Sequence, residues 1–187
     1  MIKNLILVLC VTFVSASISF SQGELNCDDA ELNALCDIDD IDGVVFTNPD
    51  PANSDVPADA LCTDGGAFHN PGWFSFVAGS TEIELLVTPL PMMCDTTPGG
   101  LTGIQVALWE GCPGAGGMCV AGNADCNDTP ITLNAEDLVV GETYNLTIDG
   151  CGGSICTVSV DITSATAFAL PDLDDVDEAD AEYAKAG

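Results

Sequence analysis

Apolar and polar residues alternate along the chain from about residue 66 to residue 163. In the segment GWFSFV, residues 72–77, Phe74 and Phe76 fall on one side of the alternation, and Trp73 and Val77 fall on the other. A period of two predicts half-buried β-strands, because successive side chains of a strand point to opposite faces of its sheet. The same pattern places these later positions on a buried face: Ile83, Leu85, Val87, Ile104, Val106, Leu108, Tyr144, Leu146, Ile148, Val158, Val160 and Ile162.

Clusters of glycine, proline, asparagine and aspartate separate the predicted strands. They occur as PGG at 98–100, GCPGAGG at 111–117, GNADCNDTP at 122–130 and DGCGG at 149–153. Many short alternating strands joined by such turns are typical of an antiparallel β-sandwich or barrel rather than a βαβ fold. We therefore predict an all-β domain over residues 22–165, without a long helix in its core.

The two ends of the sequence differ from this pattern. Residues 1–21 combine Lys3, an apolar stretch from Leu5 to Val14 and then small residues, as a secretory signal peptide does. Residues 166–187 are acidic and alanine-rich without alternation, which indicates an acidic tail or linker. The domain is expected to be secreted or at the cell surface and not inserted in a membrane, since no later run reaches about 18 apolar residues.

The charge of the chain is strongly negative. The sequence has 30 acidic residues against two basic ones, Lys3 and Lys185, and it has no arginine. Nucleic acids and anionic membrane surfaces attract proteins that supply cations, so both are excluded as partners. A cation, a neutral glycan or an extracellular protein with basic residues is compatible with this charge, and so is a purely solubilising role.

Nine cysteines follow the signal peptide, a density that predicts a disulfide framework in an exported protein. A zinc site at Cys112, Cys119 and Cys126 is disfavoured, because the sequence has no CxxC pair and only one histidine. Pairs across short loops would mainly fix the shape of those loops, although spacing alone does not decide the connectivity. The predicted pairs are Cys112–Cys119, Cys151–Cys156, Cys27–Cys36 and Cys62–Cys94, with Cys126 left over.

Catalytic motifs are scarce. His69, the only histidine, lies in the turn-forming segment AFHNPGW, and no GxSxG motif occurs. Nucleophilic catalysis needs a base beside the nucleophile, and we expect this histidine to be a solvated turn residue instead. Paired carboxylates can hydrolyse glycosides, but among 30 acidic residues such pairs arise without function. The chain is predicted not to be an enzyme, with a hydrolase that uses paired carboxylates as an alternative.

The two tryptophans are expected to have different surroundings. Trp109 alternates against Ile104, Val106 and Leu108, so it is predicted on the outer face of its sheet. There its ring can stack on a sugar or contact a protein partner. The competing interpretations are that a loop covers Trp109 or that a bulge shifts the alternation. Trp73 is expected to pack between the sheets.

The segment DIDDIDG, residues 37–43, is a candidate calcium site. An EF-hand loop needs an acid at its fifth position and a glutamate at its twelfth, and counting from Asp37 these are Ile41 and Asn48. The segment is therefore not an EF-hand, but other loops can supply the oxygen ligands that calcium prefers. The competing interpretation is plain acidic surface. The candidate ligands are Asp37, Asp39, Asp40 and Asp42.

Several segments occur in an order seen in one group of exported bacterial domains: NCDDA at 26–30, PGWFSF at 71–76, VALWEGCPG at 106–114, CVAGNADC at 119–126 and GETYNLTIDGCGG at 141–153. Over about residues 26–163 the chain resembles the β-sandwich modules related to the bacterial pre-peptidase C-terminal (PPC) domain, common in secreted and surface proteins of Bacteroidetes. The resemblance implies a jelly-roll-like, non-enzymatic sandwich that accompanies catalytic or adhesive partners. It also implies binding of substrate or polymer, sometimes with calcium at the edge of the domain.

These observations predict a secreted or cell-surface, non-catalytic adhesion module, stabilised by disulfides, that binds a glycan or an extracellular protein. Trp109 is the candidate ligand-binding residue, and calcium is the candidate cofactor. A structural spacer that accompanies a secreted hydrolase is the alternative within the non-enzymatic class.

Overall fold

The computed structural model describes residues 24–36, 38–49, 62, 68–95 and 100–165. In this part of the chain eight β-strands form two antiparallel sheets of four strands each, which confirms the predicted antiparallel sandwich. The strands are β1 (Val44–Thr47), β2 (Gly72–Val77), β3 (Ile83–Cys94), β4 (Ile104–Glu110), β5 (Met118–Asn127), β6 (Ile131–Ala135), β7 (Thr143–Gly150) and β8 (Cys156–Ala165).

The strand order is that of a rolled-up hairpin. The first sheet has the order β1-β8-β3-β6, and the second sheet has the order β2-β7-β4-β5. The pairs β1/β8, β2/β7, β3/β6 and β4/β5 are all antiparallel, as in one long hairpin whose tip is the β4–β5 turn. Rolling its two arms into facing sheets produces a jelly roll. The first and last strands become neighbours, so the chain enters and leaves the sandwich at the same end.

The side chains predicted to be buried meet between the two sheets. Phe46 of β1 contacts Phe74 of β2 edge to face, with ring centroids 5.0 Å apart, and so joins the sheets. A Cβ at Gly72 would overlap the Phe46 ring, so this position has to remain glycine. Burying one large apolar side chain contributes about 1.5–3 kcal/mol. The same core holds Phe76, Ile83, Leu85, Val87, Ile104, Val106, Leu108, Tyr144, Leu146, Ile148, Val158 and Val160.

One short helix, α1 (Cys27–Leu32), lies against the second sheet on the side away from the core. The side chain of Asn26 accepts a hydrogen bond from the Asp29 backbone N–H at 2.8 Å and so caps the helix. Asp28 and Asp29 in the first turn favour the positive end of the helix dipole. Within the described residues, no helix is long and apolar enough to span a membrane.

The residues that flank α1 cover the edge strand β2. Glu24 exchanges two backbone hydrogen bonds with Trp73, and Leu35 bonds with Ser75 and Val77. An uncovered edge strand offers its backbone groups to other chains, which promotes aggregation. The segment before the sandwich therefore protects this edge.

Four disulfides lie within the described residues, and none of them joins a predicted pair. They are Cys27–Cys112, Cys62–Cys119, Cys94–Cys156 and Cys126–Cys151. Cys126 is therefore not left over, and Cys36 is disulfide-bonded as well. The wrong pairs are Cys112–Cys119, Cys151–Cys156, Cys27–Cys36 and Cys62–Cys94.

Backbone hydrogen bonds, not disulfides, close two of the short loops that the predicted bridges would span. The Gly117 N–H donates to the Cys112 carbonyl at 2.9 Å, and the Ser154 N–H donates to the Cys151 carbonyl at 3.1 Å. The cysteine side chains instead join elements that are distant in sequence, with separations from 25 to 85 residues. Longer closed loops remove more chain entropy from the unfolded state, so these bridges stabilise the whole sandwich rather than loop tips.

Candidate functional site

The outer face of the second sheet, which points away from the core, carries aromatic and polar side chains. Trp109 lies on this face as predicted, but it is only 6% exposed, so the expected exposure of its ring is wrong. Ligand binding by Trp109 stays a prediction. Trp73 lies on the same face, because Phe74 and Phe76 take the inner one, and its predicted place between the sheets is also wrong. The face consists of Trp73, Ser75, Gln105, Ala107, Trp109, Asn145, Thr147 and Asp149.

A third layer covers both indole rings. Ala30 of α1 and the Cys27–Cys112 disulfide pack with the two tryptophans in one buried cluster. Phe68 contacts Trp73 edge to face, with ring centroids 5.5 Å apart. Strand alternation decides which face a side chain takes, but it does not indicate whether another layer covers that face. The competing interpretation, that a loop covers Trp109, is therefore closer to what the structure has, although the covering elements are a helix and a disulfide.

Polar contacts tie α1 to this face. The Ser75 hydroxyl donates to Asn145 Oδ1, and Asn145 Nδ2 donates to Glu31 Oε1 at 2.9 Å. Ser75 and Asn145 are buried, so the bonds satisfy groups that would otherwise be costly to remove from water. The position of Glu31 is therefore fixed by the sheet beneath it.

A buried polar network surrounds Asp149 at one end of the same face. Its carboxylate accepts the backbone N–H groups of His69 and Asn70 at 2.9 and 2.7 Å. Burial raises the pKa of Asp149, and this effect exceeds the lowering by its hydrogen bonds with His69 and Asn70. The carboxylate thereby fixes the backbone that leads into β2.

His69 is not the fully solvated turn residue that the sequence predicts. Its side chain is 39% exposed, and its Nδ1 lies 3.3 Å from the second carboxylate oxygen of Asp149. A carboxylate also orients the histidine of a Ser-His-Asp triad. Here, however, the same carboxylate binds two consecutive backbone N–H groups, which is the role of a residue that shapes a turn.

The substitution Asp149→Asn is expected to remove a pH-dependent contribution to stability. Because the pKa of Asp149 is raised in the folded state, the folded chain retains a proton that the unfolded chain releases. The wild type should therefore lose stability relative to the variant as the pH rises. This loss in the free energy of unfolding begins near the ordinary aspartate pKa and ends above the raised pKa. Urea unfolding of both proteins from about pH 3 to pH 7 measures this difference. A difference independent of pH would contradict the shifted pKa.

Within the described residues, the predicted calcium ligands do not form a cluster. Asp37 lies outside the described residues, and Asp39 and Asp40 are exposed on a 3₁₀-helix, Ile38–Ile41. Asp42 Oδ1 accepts the backbone N–H of Ile162 at 2.8 Å, so this carboxylate joins the segment before β1 to strand β8. The described part of the chain has no group of three close metal-ligand atoms at this segment. Calcium binding there stays a prediction.

One other group has metal-like spacing, namely Cys27, Glu31 and Cys112. Both sulfur atoms belong to one disulfide, with an S–S distance of 2.06 Å. Metal binding by cysteine needs the thiolate, so this group does not hold a metal ion while the bridge is intact.

An acidic groove lies where α1, the β4–β5 loop and the start of β7 meet. Its volume is about 670 Å³, and four carboxylate side chains line it. The disulfide Cys27–Cys112 holds α1 against the β4–β5 loop, and the loop has no room for a side chain at Gly117. The disulfide and the tightly packed loop therefore fix the walls of the groove relative to each other. The lining carboxylates are Asp28, Glu31, Glu110 and Glu142.

Exposed apolar side chains lie in the groove or close in sequence to the residues that line it. Met118 lines the groove, Leu32 follows Glu31 on α1, and Val139 and Val140 shortly precede Glu142. Apolar side chains next to polar ones at a concave surface are typical of protein recognition sites. The groove is not predictable from sequence pattern, because its acidic residues are distributed along the chain from Asp28 to Glu142. The available signal was the glycine-rich segment 111–117 between two strands, since binding surfaces often lie on such loops.

No protein-family model matches the chain, and no curated protein matches it. The resemblance to the PPC-related modules therefore stays a prediction.

Proposed function

We propose that the chain is a secreted or cell-surface, non-catalytic binding module whose groove recognises a basic segment of an extracellular protein. The observation that carries this proposal is the acidic groove, with carboxylates from α1, the end of β4 and the start of β7 around one concave surface. Disulfides between distant elements support an oxidising, extracellular environment.

Charge complementarity selects the class of partner. The groove carboxylates belong to a chain with a formal net charge of −28, so acidic and nucleic-acid partners are repelled. Lysine or arginine side chains of a partner would be attracted at long range and then paired with Asp28, Glu31, Glu110 and Glu142. The exposed Met118, which lines the groove, supplies apolar contact area beside these charges.

A protein partner fits the described surface better than a glycan does. Sugar recognition commonly uses an exposed aromatic ring for stacking, and both Trp73 and Trp109 are buried. The groove instead combines carboxylates with flexible apolar side chains such as Met118, a composition suited to peptides. A purely structural spacer would leave the groove without a ligand.

Replacing Glu110 with lysine is expected to weaken binding of a short lysine-rich peptide by about tenfold or more, because the change reverses one charge in the groove. Glu110 is exposed at the end of β4, so the fold should tolerate the substitution. Isothermal titration calorimetry at low and at physiological salt measures the affinity and its dependence on screening.

The matched control is Asp128→Lys, which makes the same change in net charge on the β5–β6 turn, away from the groove. This variant should bind the peptide nearly as the wild type does. Equal weakening by both variants would show that binding depends only on the overall charge. Equal affinity for a glutamate-rich peptide of the same length would exclude the proposed partner class.

A further inference from the structure

The four described disulfides differ in how far solvent reaches their cysteines. In the Cys62–Cys119 bridge neither cysteine is buried, because Cys119 is exposed and Cys62 is half-buried. The other three described bridges each contain at least one buried cysteine, and these are Cys27, Cys112, Cys151 and Cys156. Cys62–Cys119 is therefore the described bridge that reagents in solution reach most easily while the chain is folded.

Thiol–disulfide exchange makes two demands on a bridge. A thiolate attacks one sulfur, which has to be accessible, and the other sulfur leaves as a thiolate. A thiolate that leaves into an apolar interior is costly, because burial disfavours the charged form of a thiol. Cys94 and Cys126 are not buried, but their partners Cys156 and Cys151 would leave as buried thiolates. Among the described bridges, only Cys62–Cys119 meets both demands.

Opening this bridge releases Cys62 rather than a strand. Cys62 belongs to no strand, whereas Cys119 is held in β5 opposite Trp109 of β4. The Cys62 Cβ lies 2.7 Å from where a Cβ at Gly122 would be, so Cys62 covers the β5 backbone at that position. Reduction therefore uncovers β5 at Gly122 and breaks no sheet pairing, so the sandwich should persist.

The charge beside Cys119 restricts the thiols that react there. Cys119 follows Met118, which lines the acidic groove, and Glu110 lies opposite Met118 across β4 and β5. The attacking thiolate is itself negative, so the field of the acidic chain repels a reductant that carries further negative charge. A neutral or basic dithiol is therefore the favoured class of reductant.

We infer that Cys62–Cys119 is a thiol–disulfide exchange site for a neutral or basic dithiol, which enters at Cys119. A thiolate of the dithiol bonds to Cys119 Sγ, the S–S bond of the bridge breaks, and the Cys62 sulfur leaves. The second thiol of the dithiol then attacks the mixed disulfide and releases Cys119. The two thiol protons pass to Cys62 and Cys119, so the bridge becomes two thiols while the dithiol becomes a disulfide. The site does not depend on the function proposed for the groove.

Timed reduction of the folded wild-type chain with dithiothreitol tests which bridge opens. Samples are quenched with iodoacetamide, and mass spectrometry of peptides measures the labelling of each cysteine. Cys62 and Cys119 should be labelled together, about tenfold faster than the cysteines of the other three described bridges, while the circular dichroism of the sheets stays constant. Earlier opening of another described bridge, or opening of all four together with loss of the sheets, would overturn the inference.

Two serine variants test the point of entry. Cys62→Ser leaves the exposed Cys119 thiol, and Cys119→Ser leaves the half-buried Cys62 thiol. The neutral reagent dithiodipyridine should react about tenfold faster with the Cys62→Ser variant, because reactivity follows access. An equal or faster reaction of the Cys119→Ser variant would contradict entry at Cys119.

The salt dependence of the wild-type reaction tests the class of reductant. The thiolate form of glutathione carries more negative charge than that of dithiothreitol. Added salt screens repulsion, so it should accelerate opening of Cys62–Cys119 by glutathione more than opening by dithiothreitol. The same salt dependence for both reductants would contradict selection of the dithiol by charge.

Discussion

Replacing Asn70 with alanine is expected to lower the free energy of unfolding by about 3–5 kcal/mol. The Asn70 side chain donates to the carbonyls of Pro49 and Ser154, at 2.9 and 3.0 Å, and accepts the N–H of Gly150 at 3.1 Å. Alanine removes all three bonds and leaves the Pro49 carbonyl and the Gly150 N–H without this partner, whereas the Ser154 carbonyl keeps its bond from Asn48 at 2.9 Å. Each unsatisfied buried group costs about 1–3 kcal/mol. Equilibrium unfolding in urea measures the loss.

The large effect follows from where the three partners lie. Pro49 follows β1 of the first sheet, and Asn70 precedes β2 of the second sheet. Gly150 is the last residue of β7, and Ser154 lies in the connection between β7 and β8. Asn70 therefore joins both sheets at one end of the sandwich. Asn134→Ala, at an exposed position of β6, should change stability by less than about 0.5 kcal/mol. A similar value for Asn70→Ala would show that the network does not stabilise the fold.

Removal of the Cys27–Cys112 disulfide by alanine at both positions is expected to lower the free energy of unfolding by about 4–5 kcal/mol. The bridge closes a loop with a sequence separation of 85 residues, the longest among the described bridges. It also holds α1 over Trp73 and Trp109, so the indoles should become more accessible to acrylamide. Urea unfolding and fluorescence quenching measure the two effects.

The matched control removes Cys126–Cys151, whose cysteines are 25 residues apart. The shorter loop predicts a loss smaller by about 1 kcal/mol, and this bridge is not part of the cluster around the indoles, so quenching should not change. A larger loss in the control would contradict the loop-length argument. Unchanged quenching in the Cys27–Cys112 variant would contradict the covering role of α1.

The strands and the core were predictable from the sequence because alternation is a local signal. Phe74, Val106 and Leu146 each lie in a segment whose period of two is visible within a few residues, and all three are buried between the sheets. The strand order was expected only through the resemblance to jelly-roll modules. Alternation itself does not indicate which strands pair.

The covering layer could not be predicted in the same way. The helix α1 has only six residues, and it is held by a cysteine 85 positions away. Its contact with Trp109 depends on how the whole chain folds. The local spacing of the cysteines therefore favoured pairs that are close in sequence, and strand alternation alone favoured an exposed Trp109. The acidic groove was missed for the same reason, since Asp28, Glu110 and Glu142 become neighbours only after folding.

The pairing of β1 with β8 determines how the module responds to mechanical load. Val44, where β1 begins, lies opposite Val160, so a pull applied to β1 and to the end of β8 opens their ladder one pair at a time. Peeling of β8 from its C-terminal end stops at Cys156, which is bonded to Cys94 of β3. A pull applied before α1 is instead carried by the Cys27–Cys112 bridge to the loop after β4, so it bypasses β1. These two bridges would therefore limit how far the module lengthens under tension.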